Sequence, residues 1–263
     1  MSKVRTLLLA LDIGNTNVTV GVFEGERLRA TWRIASDVHR MADEYAAILL
    51  NLLPLEGIEM AGIKDAVICS VVPTLEVTFL SLCRRYFGLE PLVVGAGIKT
   101  GVRIATDNPR EVGTDRVVNA VAAHHLYGGP VIVIDLGTAT TFDAVSKEGD
   151  YLGGAIAPGI TIAAEALSLR TAKLPQIELV RPRNVIGRNT VTAMQSGIVF
   201  GYIGLIEGVV ARMRQELGGQ ARTVATGGYA EVIARETAAI ELVNPNLTLL
   251  GLKMIYDMNR GEA

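Results

Sequence analysis

Leu7-Leu8-Leu9-Ala10-Leu11-Asp12-Ile13-Gly14-Asn15-Thr16-Asn17 stands near the start of the chain. Val131-Ile132-Val133-Ile134-Asp135-Leu136-Gly137-Thr138-Ala139-Thr140-Thr141 repeats its plan in the middle. Each is an apolar run that reads as a buried strand, then an Asp, then a glycine-centred turn rich in small hydroxyl or amide side chains. Each runs on into a second strand and a polar hairpin, Glu24-Gly25-Glu26 in one case and Lys147-Glu148-Gly149-Asp150 in the other. A unit used twice in matching contexts implies two related half-domains.

The chemistry of the unit suits a polyphosphate. Glycine lets the backbone turn tightly and present N–H groups to an anion. Thr and Asn add side-chain donors for phosphate oxygens, and the strand-end Asp can face a cation directly or through water. Two such halves facing each other are expected to hold a nucleoside triphosphate in the cleft between them.

The wider composition sets limits. With 263 residues, 49% of them hydrophobic, the chain can bury a large core as one large domain or two small ones. A formal charge of −2 gives no support for non-specific nucleic-acid binding, which needs a basic face. Cys69 and Cys83 are the only cysteines, too few for a metal site or a disulfide framework, and a reducing cytosol fits them. The apolar run at residues 7–11 is too short for a secretory signal and is broken by Asp12. Residues 190–206 carry no charge and approach the length of a membrane span. Thr192, Gln195, Ser196 and several glycines within them favour a buried helix instead, and the surplus of apolar residues suggests a subunit interface.

Periodicity places strands at 6–11, 18–23 and 28–34, a helix at 43–53 closed by Pro54, a strand at 65–72, a helix at 75–87 and a strand at 92–94. The second half follows suit, with a helix at 117–127 and strands at 131–135, 141–145 and 151–157. Helices are expected at 160–167, 191–217, 230–237 and 246–258, with a short strand at 223–225. The domain boundary is expected near 115–130.

Three further constellations carry chemistry. Gly113-Thr114-Asp115-Arg116 can be a helix start, with Thr114 as N-cap and Asp115 in the first turn. That reading leaves Arg116 unexplained, because a cation in the first turn is unfavourable by roughly 0.3–1 kcal/mol. A carboxylate base beside an anion clamp is what phosphorylation of a hydroxyl requires. Thr226-Gly227-Gly228, after a strand, is either a turn or a close backbone approach to a flat ligand such as adenine. Gly197, Gly201, Gly204 and Gly208 leave one bare helix face, suited to close packing or a dimer contact. His39, His124 and His125 lack triad or metal spacing and read as structural.

Taken together, these residues resemble the type III pantothenate kinases, members of the acetate and sugar kinase, Hsp70 and actin superfamily. The match covers almost the whole chain. It rests on Asp12-Ile13-Gly14-Asn15-Thr16, Gly113-Thr114-Asp115-Arg116, Asp135-Leu136-Gly137-Thr138-Ala139-Thr140-Thr141 and Gly153-Gly154-Ala155-Ile156-Ala157-Pro158-Gly159, in that order. The resemblance implies an α/β fold of two ribonuclease H-like (actin-like ATPase) domains, each a mixed sheet flanked by helices, with the active site in the cleft between them. Residues 1–116 would form the N-terminal half with the first phosphate loop. Residues 117–263 would form the C-terminal half with the second phosphate loop, the adenosine site and the dimer helix.

It also implies a reaction: ATP-dependent phosphorylation of pantothenate to 4′-phosphopantothenate, the first step of coenzyme A biosynthesis. ATP would lie on Asp12, Ile13, Gly14, Asn15, Thr16, Asn17, Val18 and Thr19, and against Thr138 and Gly227. Asp12 would sit near the Mg²⁺–phosphate group, and Asp135 would bind a monovalent cation, K⁺ or NH₄⁺. Gly113, Thr114, Asp115 and Arg116 would line the pantothenate pocket, with Asp115 as base and Arg116 near the pantothenate carboxylate. Thr190 would contact pantothenate across a homodimer interface, giving a composite site. A cytoplasmic enzyme without nucleic-acid or membrane partners is expected. The chain departs from the family pattern at one place: Thr106 stands where many members carry a pantothenate-contacting Tyr, so the pocket wall loses a ring. A kinase or phosphatase of another small hydroxyl substrate, or a nucleotide-binding regulator, remains as the alternative.

Overall fold

The computed structural model describes residues 6–260. In chain order the elements are β1 (Leu7–Ile13), β2 (Asn17–Glu24), β3 (Arg27–Ala35), α1 (Ala42–Leu52), β4 (Ile63–Ser70), α2 (Pro73–Leu82), β5 (Leu92–Val93) and α3 (Thr114–Tyr127). There follow β6 (Val131–Leu136), β7 (Ala139–Val145), β8 (Tyr151–Pro158), α4 (Ile160–Arg170), α5 (Thr190–Glu216), β9 (Arg222–Thr226), α6 (Ala230–Ala234), β10 (Leu242–Val243) and α7 (Leu247–Arg260). The chain divides into two compact units. One comprises the described residues up to Gly101, Asn108–Ala122 and those from Thr248 on; the other comprises Val102–Asp107 and Ala123–Leu247.

The first unit holds a five-stranded sheet in the order β3-β2-β1-β4-β5. β1 pairs antiparallel with β2 and parallel with β4. Every residue of β1 except Asp12 is buried, as expected of a central strand covered on both faces. Helix α1 begins where the Glu44 carboxylate accepts the Met41 N–H at 2.8 Å, satisfying one of the helix-start donors. Its apolar face buries Tyr45, Ala46 and Leu49, and the Tyr45 ring meets Phe79 of α2 at a centroid distance of 4.7 Å.

The second unit holds a sheet in the order β10-β9-β6-β7-β8. Read from the other edge, it repeats the first: two antiparallel hairpin strands beside a central strand, then two parallel ones. The internal repeat seen in the sequence is therefore a repeat of topology, that of two ribonuclease H-like halves. Two-residue β10 was absent from the expected elements, being too short to show a period.

The two units do not follow a single cut in the chain, and one boundary falls inside α3. Helix α7 belongs with the first unit because Leu249 packs against Gly21 of β2, where a Cβ would lie 2.9 Å from its Cδ1. Thr248 Oγ1 also donates to Asn119 Oδ1 at 2.8 Å, and Lys253 Nζ reaches Glu26 at 2.9 Å and pairs with Asp257. Segment Val102–Asp107 belongs with the second unit because it lies along β8. Ala105 N–H donates to Tyr151 O at 2.8 Å, Tyr151 N–H donates to Arg103 O at 2.9 Å, and Arg103 pairs with Asp150.

Candidate active site

In the first unit, Asp12 lies one residue before the end of β1, opposite Thr19 and beside Cys69 of β4. The turn that follows closes with Gly14 N–H donating to Asn17 O at 3.0 Å. Ser36 braces it: its hydroxyl donates to Gly14 O at 2.6 Å and its N–H to Thr16 O at 2.9 Å. Asn15, Thr16 and Asn17 are exposed, whereas Ile13 and Val18 are fully buried. A ligand on this loop can meet Ile13 and Val18 only through their main chain.

Helix α3 starts at Thr114, but Thr114 is not its N-cap. Arg116 and Val117 N–H groups both reach back to Gly113 O, at 3.1 and 3.3 Å, so Gly113 occupies the cap position. The Thr114 hydroxyl is used elsewhere, donating to Ser70 O at 3.0 Å and accepting from Cys69 Sγ at 3.3 Å. These contacts pin the start of α3 to the carboxyl end of β4. Asp115 Oδ1 accepts the Arg116 N–H at 2.8 Å. A Cβ on Gly113 would lie 2.6 Å from that same Oδ1, so only glycine leaves the carboxylate its place.

Burial pushes the Asp115 carboxyl above its ordinary pKa, against the opposing pull of the Arg116 N–H and the Arg116 charge. The Cys69 thiol is pushed well up, chiefly by burial and then by the negative charges of Asp12 and Asp115. It stays a neutral donor between two carboxylates that converge on the carboxyl ends of β1 and β4. Open α/β sheets place their ligands at such strand ends.

In the second unit, Asp135 holds the position of Asp12, opposite Thr141 on β7. Its turn is one residue tighter, with Gly137 N–H donating to Ala139 O at 3.1 Å. Thr138 is exposed at the tip. Gly227 comes close to Asp135: at φ +92°, a Cβ would lie 2.6 Å from Asp135 Oδ1 and from the Leu136 carbonyl carbon. Tyr229, two residues on, donates its N–H to Leu136 O at 3.3 Å. Its ring borders a cavity of about 350 Å³ lined also by Thr161, Glu165, Gln176 and Ile177. Gly159 N–H donates to Thr138 O at 3.1 Å, and a side chain at Gly159 would overlap that carbonyl.

Two expected substrate residues also fall in this unit. Thr106 lies in the segment tied to β8, and its hydroxyl is buried with no hydrogen-bond partner. Thr190, the first residue of α5, is exposed and lines a cavity of about 560 Å³. Among the described residues no three His, Cys, Asp or Glu side chains cluster to hold a metal by themselves. A divalent ion here would need oxygen ligands from a phosphate, as Mg²⁺ commonly takes them.

No sequence signal points to the supporting groups. Ser36, Ser70, Cys69 and Tyr229 are ordinary residues far along the chain from what they hold. His124, read as structural, does bond Lys147 O at 3.1 Å.

The chain matches the family model for type III pantothenate kinase over residues 8–212. A type III pantothenate kinase of Dehalococcoides mccartyi is 56% identical over 96% of this chain and 98% of its own length. One from Moorella thermoacetica is 53% identical over 96% of this chain and its whole length. Among solved structures, a Campylobacter jejuni protein under the provisional name of a Baf family transcriptional activator superposes with a TM-score of 0.63 at 18% identity, covering 96% of this chain and 99% of its own. An inorganic polyphosphate/ATP-glucomannokinase from Arthrobacter sp. strain KM does so with 0.51 at 14% identity, covering 96% and 99%. At those identities the structural matches show the fold alone.

Proposed function

The chain belongs to the type III pantothenate kinases, and from that membership we propose how its residues transfer the γ-phosphoryl group of ATP to pantothenate, giving 4′-phosphopantothenate and ADP. The observation that carries the reading is Asp115, a half-buried carboxylate with a raised pKa beside Arg116 at the carboxyl end of a parallel strand pair. Asp115 accepts the proton of the primary hydroxyl as its oxygen attacks the γ-phosphorus in line. A raised pKa brings it nearer the operating pH, where a general base is most effective. Phosphoryl transfer asks for little else beyond positioning and charge stabilisation. Arg116 takes the pantothenate carboxylate, which a guanidinium fork matches.

Loop 12–19 and the turn at 135–138 serve the nucleotide phosphates, with Asn15–Asn17 supplying exposed donors. Gly227 brings backbone close to Asp135, and the Tyr229-lined cavity suits a flat base. Asp12, half-buried beside an exposed loop, fits one carboxylate ligand or water-mediated ligand of Mg²⁺ that is otherwise held by phosphates. The ion would neutralise charge on the transferring group. Asp135 would hold a monovalent cation. No observation favours a regulator or another hydroxyl acceptor over this reading.

The protein acts as a cytoplasmic homodimer. Helix α5 is long and apolar enough to cross a membrane, yet Met194, Val199, Tyr202, Ile206 and Val210 pack it onto the core of the second unit. Its other face is bare: a Cβ at Gly197, Gly201 or Gly204 would meet nothing within 4 Å. Gly201→Trp is therefore expected to leave the subunit folded and to yield a one-subunit mass in analytical ultracentrifugation. A dimer mass for that variant excludes the glycine face as the interface.

The reaction is tested by ADP release with ATP, Mg²⁺ and pantothenate, in K⁺ and again in Na⁺. Pantothenate-dependent turnover that needs K⁺ is expected. Absence of turnover in both salts, from folded protein that binds ATP, removes pantothenate as the acceptor.

A further inference from the structure

Helix α5 reaches the second phosphate turn from behind through one side chain. Tyr202 is buried at 6% exposure, and its hydroxyl meets two strands at once. It bonds Thr140 Oγ1, itself fully buried on β7. It reaches Pro158 O, at the end of β8, at 3.4 Å. Burial pushes the phenol up to about 12, so it remains a neutral hydroxyl throughout the working pH range.

Those partners bracket the turn that follows Asp135. Thr140 is the third residue of 138–140 and pairs with Leu136 across the turn. Pro158 directly precedes Gly159, whose N–H holds Thr138 O. The turn tip is exposed for a ligand, while its root is fixed by one hydroxyl carried on a different element. A phenylalanine would fill the same apolar space among Phe142, Ile160 and Ile206. The hydroxyl is thus not needed for packing, and its removal would leave Thr140 and Pro158 without a common partner.

We propose that Tyr202 is a positioning residue for the nucleotide, acting through Thr140 to hold the 135–140 turn in its phosphate-binding shape. The proposal rests on the reading of that turn as the second phosphate loop. Loops that hold phosphates by backbone donors depend on sub-ångström placement, so loosening the root weakens nucleotide binding without touching the acceptor side.

The test is Tyr202→Phe, with Thr140→Val and the double variant, measured by calorimetric titration of Mg·ATP and by steady-state kinetics. Tyr202→Phe is expected to weaken ATP binding about 5- to 10-fold. The pantothenate KM should stay unchanged. Thr140→Val should weaken ATP binding similarly, and the double variant should be no worse than either single one. Unaltered ATP affinity in Tyr202→Phe overturns the proposal. So does an equal change in both KM values, or losses that multiply in the double variant, because each marks a general structural role. ATP titration needs no turnover, so a wild type that binds ATP but ignores pantothenate refutes the acceptor and still lets this proposal be judged.

Discussion

Asp115→Asn is expected to cut kcat by about 10²- to 10⁴-fold while raising the melting temperature. The loss follows from removing the proton acceptor, since an amide cannot take the hydroxyl proton. ATP affinity should be retained, because the substitution preserves shape and the Oδ1 that accepts the Arg116 N–H. The gain in stability follows from linkage. Burial raises the folded-state pKa of Asp115, so the folded protein binds that proton more tightly than the unfolded chain does. The stabilisation attached to this proton is fully present below the ordinary carboxylate pKa and is lost as pH rises through the raised value. At neutral pH the wild type has lost it, whereas Asn is neutral at every pH. The difference in melting temperature should therefore be widest near neutral pH and shrink on acidification. In the wild type, kcat/KM should fall on the acid side as the base takes up its proton, with a midpoint above that of an ordinary aspartate. An undiminished rate removes Asp115 as the base, and a variant less stable at pH 7 shows that the carboxylate is structurally supported instead.

Gly227→Ala is expected to strike nucleotide binding, which Asp115→Asn spares. The left-handed backbone at φ +92° costs a non-glycine residue about 1–2 kcal/mol. The added methyl would also press on Asp135 Oδ1 and on the Leu136 backbone, and backbone cannot rotate away. The carboxylate must shift, and with it the turn at 137–138. Gly25→Ala provides the control, because Gly25 has φ +59° and open space around its Cβ position. Both variants should lose melting temperature, Gly227→Ala the more. Only Gly227→Ala should weaken ATP binding, by at least 10-fold, and alter the response to K⁺. Equal ATP affinities in the two variants show that the approach of Gly227 to Asp135 has no part in binding.

Most of the framework was legible because it is written in local pattern. The runs 7–11 and 131–134 are apolar without interruption, which suits central strands buried on both faces. Asp12 and Asp135 were visible as breaks in those runs, and both stand at strand ends in matching register. Gly113 and Gly227 stand in the sequence as glycines beside charged or strand-end residues, and at both a Cβ would collide with a carboxylate, that of Asp115 or Asp135. The cap reading of Thr114 fails because sequence shows what a hydroxyl can do nearby and not which distant carbonyl claims it.

The sequence by itself determined the repeated half-domain plan, the positions of most strands and helices and the identity of the acidic and glycine positions, since these depend on residue type and short-range periodicity. Tertiary structure alone decided which unit receives α7 and the 102–107 segment, because packing on Gly21 and pairing along β8 join residues far apart in the chain. It alone decided that Ser36 braces the first turn, that Cys69 and Ser70 hold Thr114, and that Tyr202 stands behind Thr140. Each is a hydrogen bond across 22 to 62 residues. Such bonds form only after the backbone has folded, and no local spacing announces them.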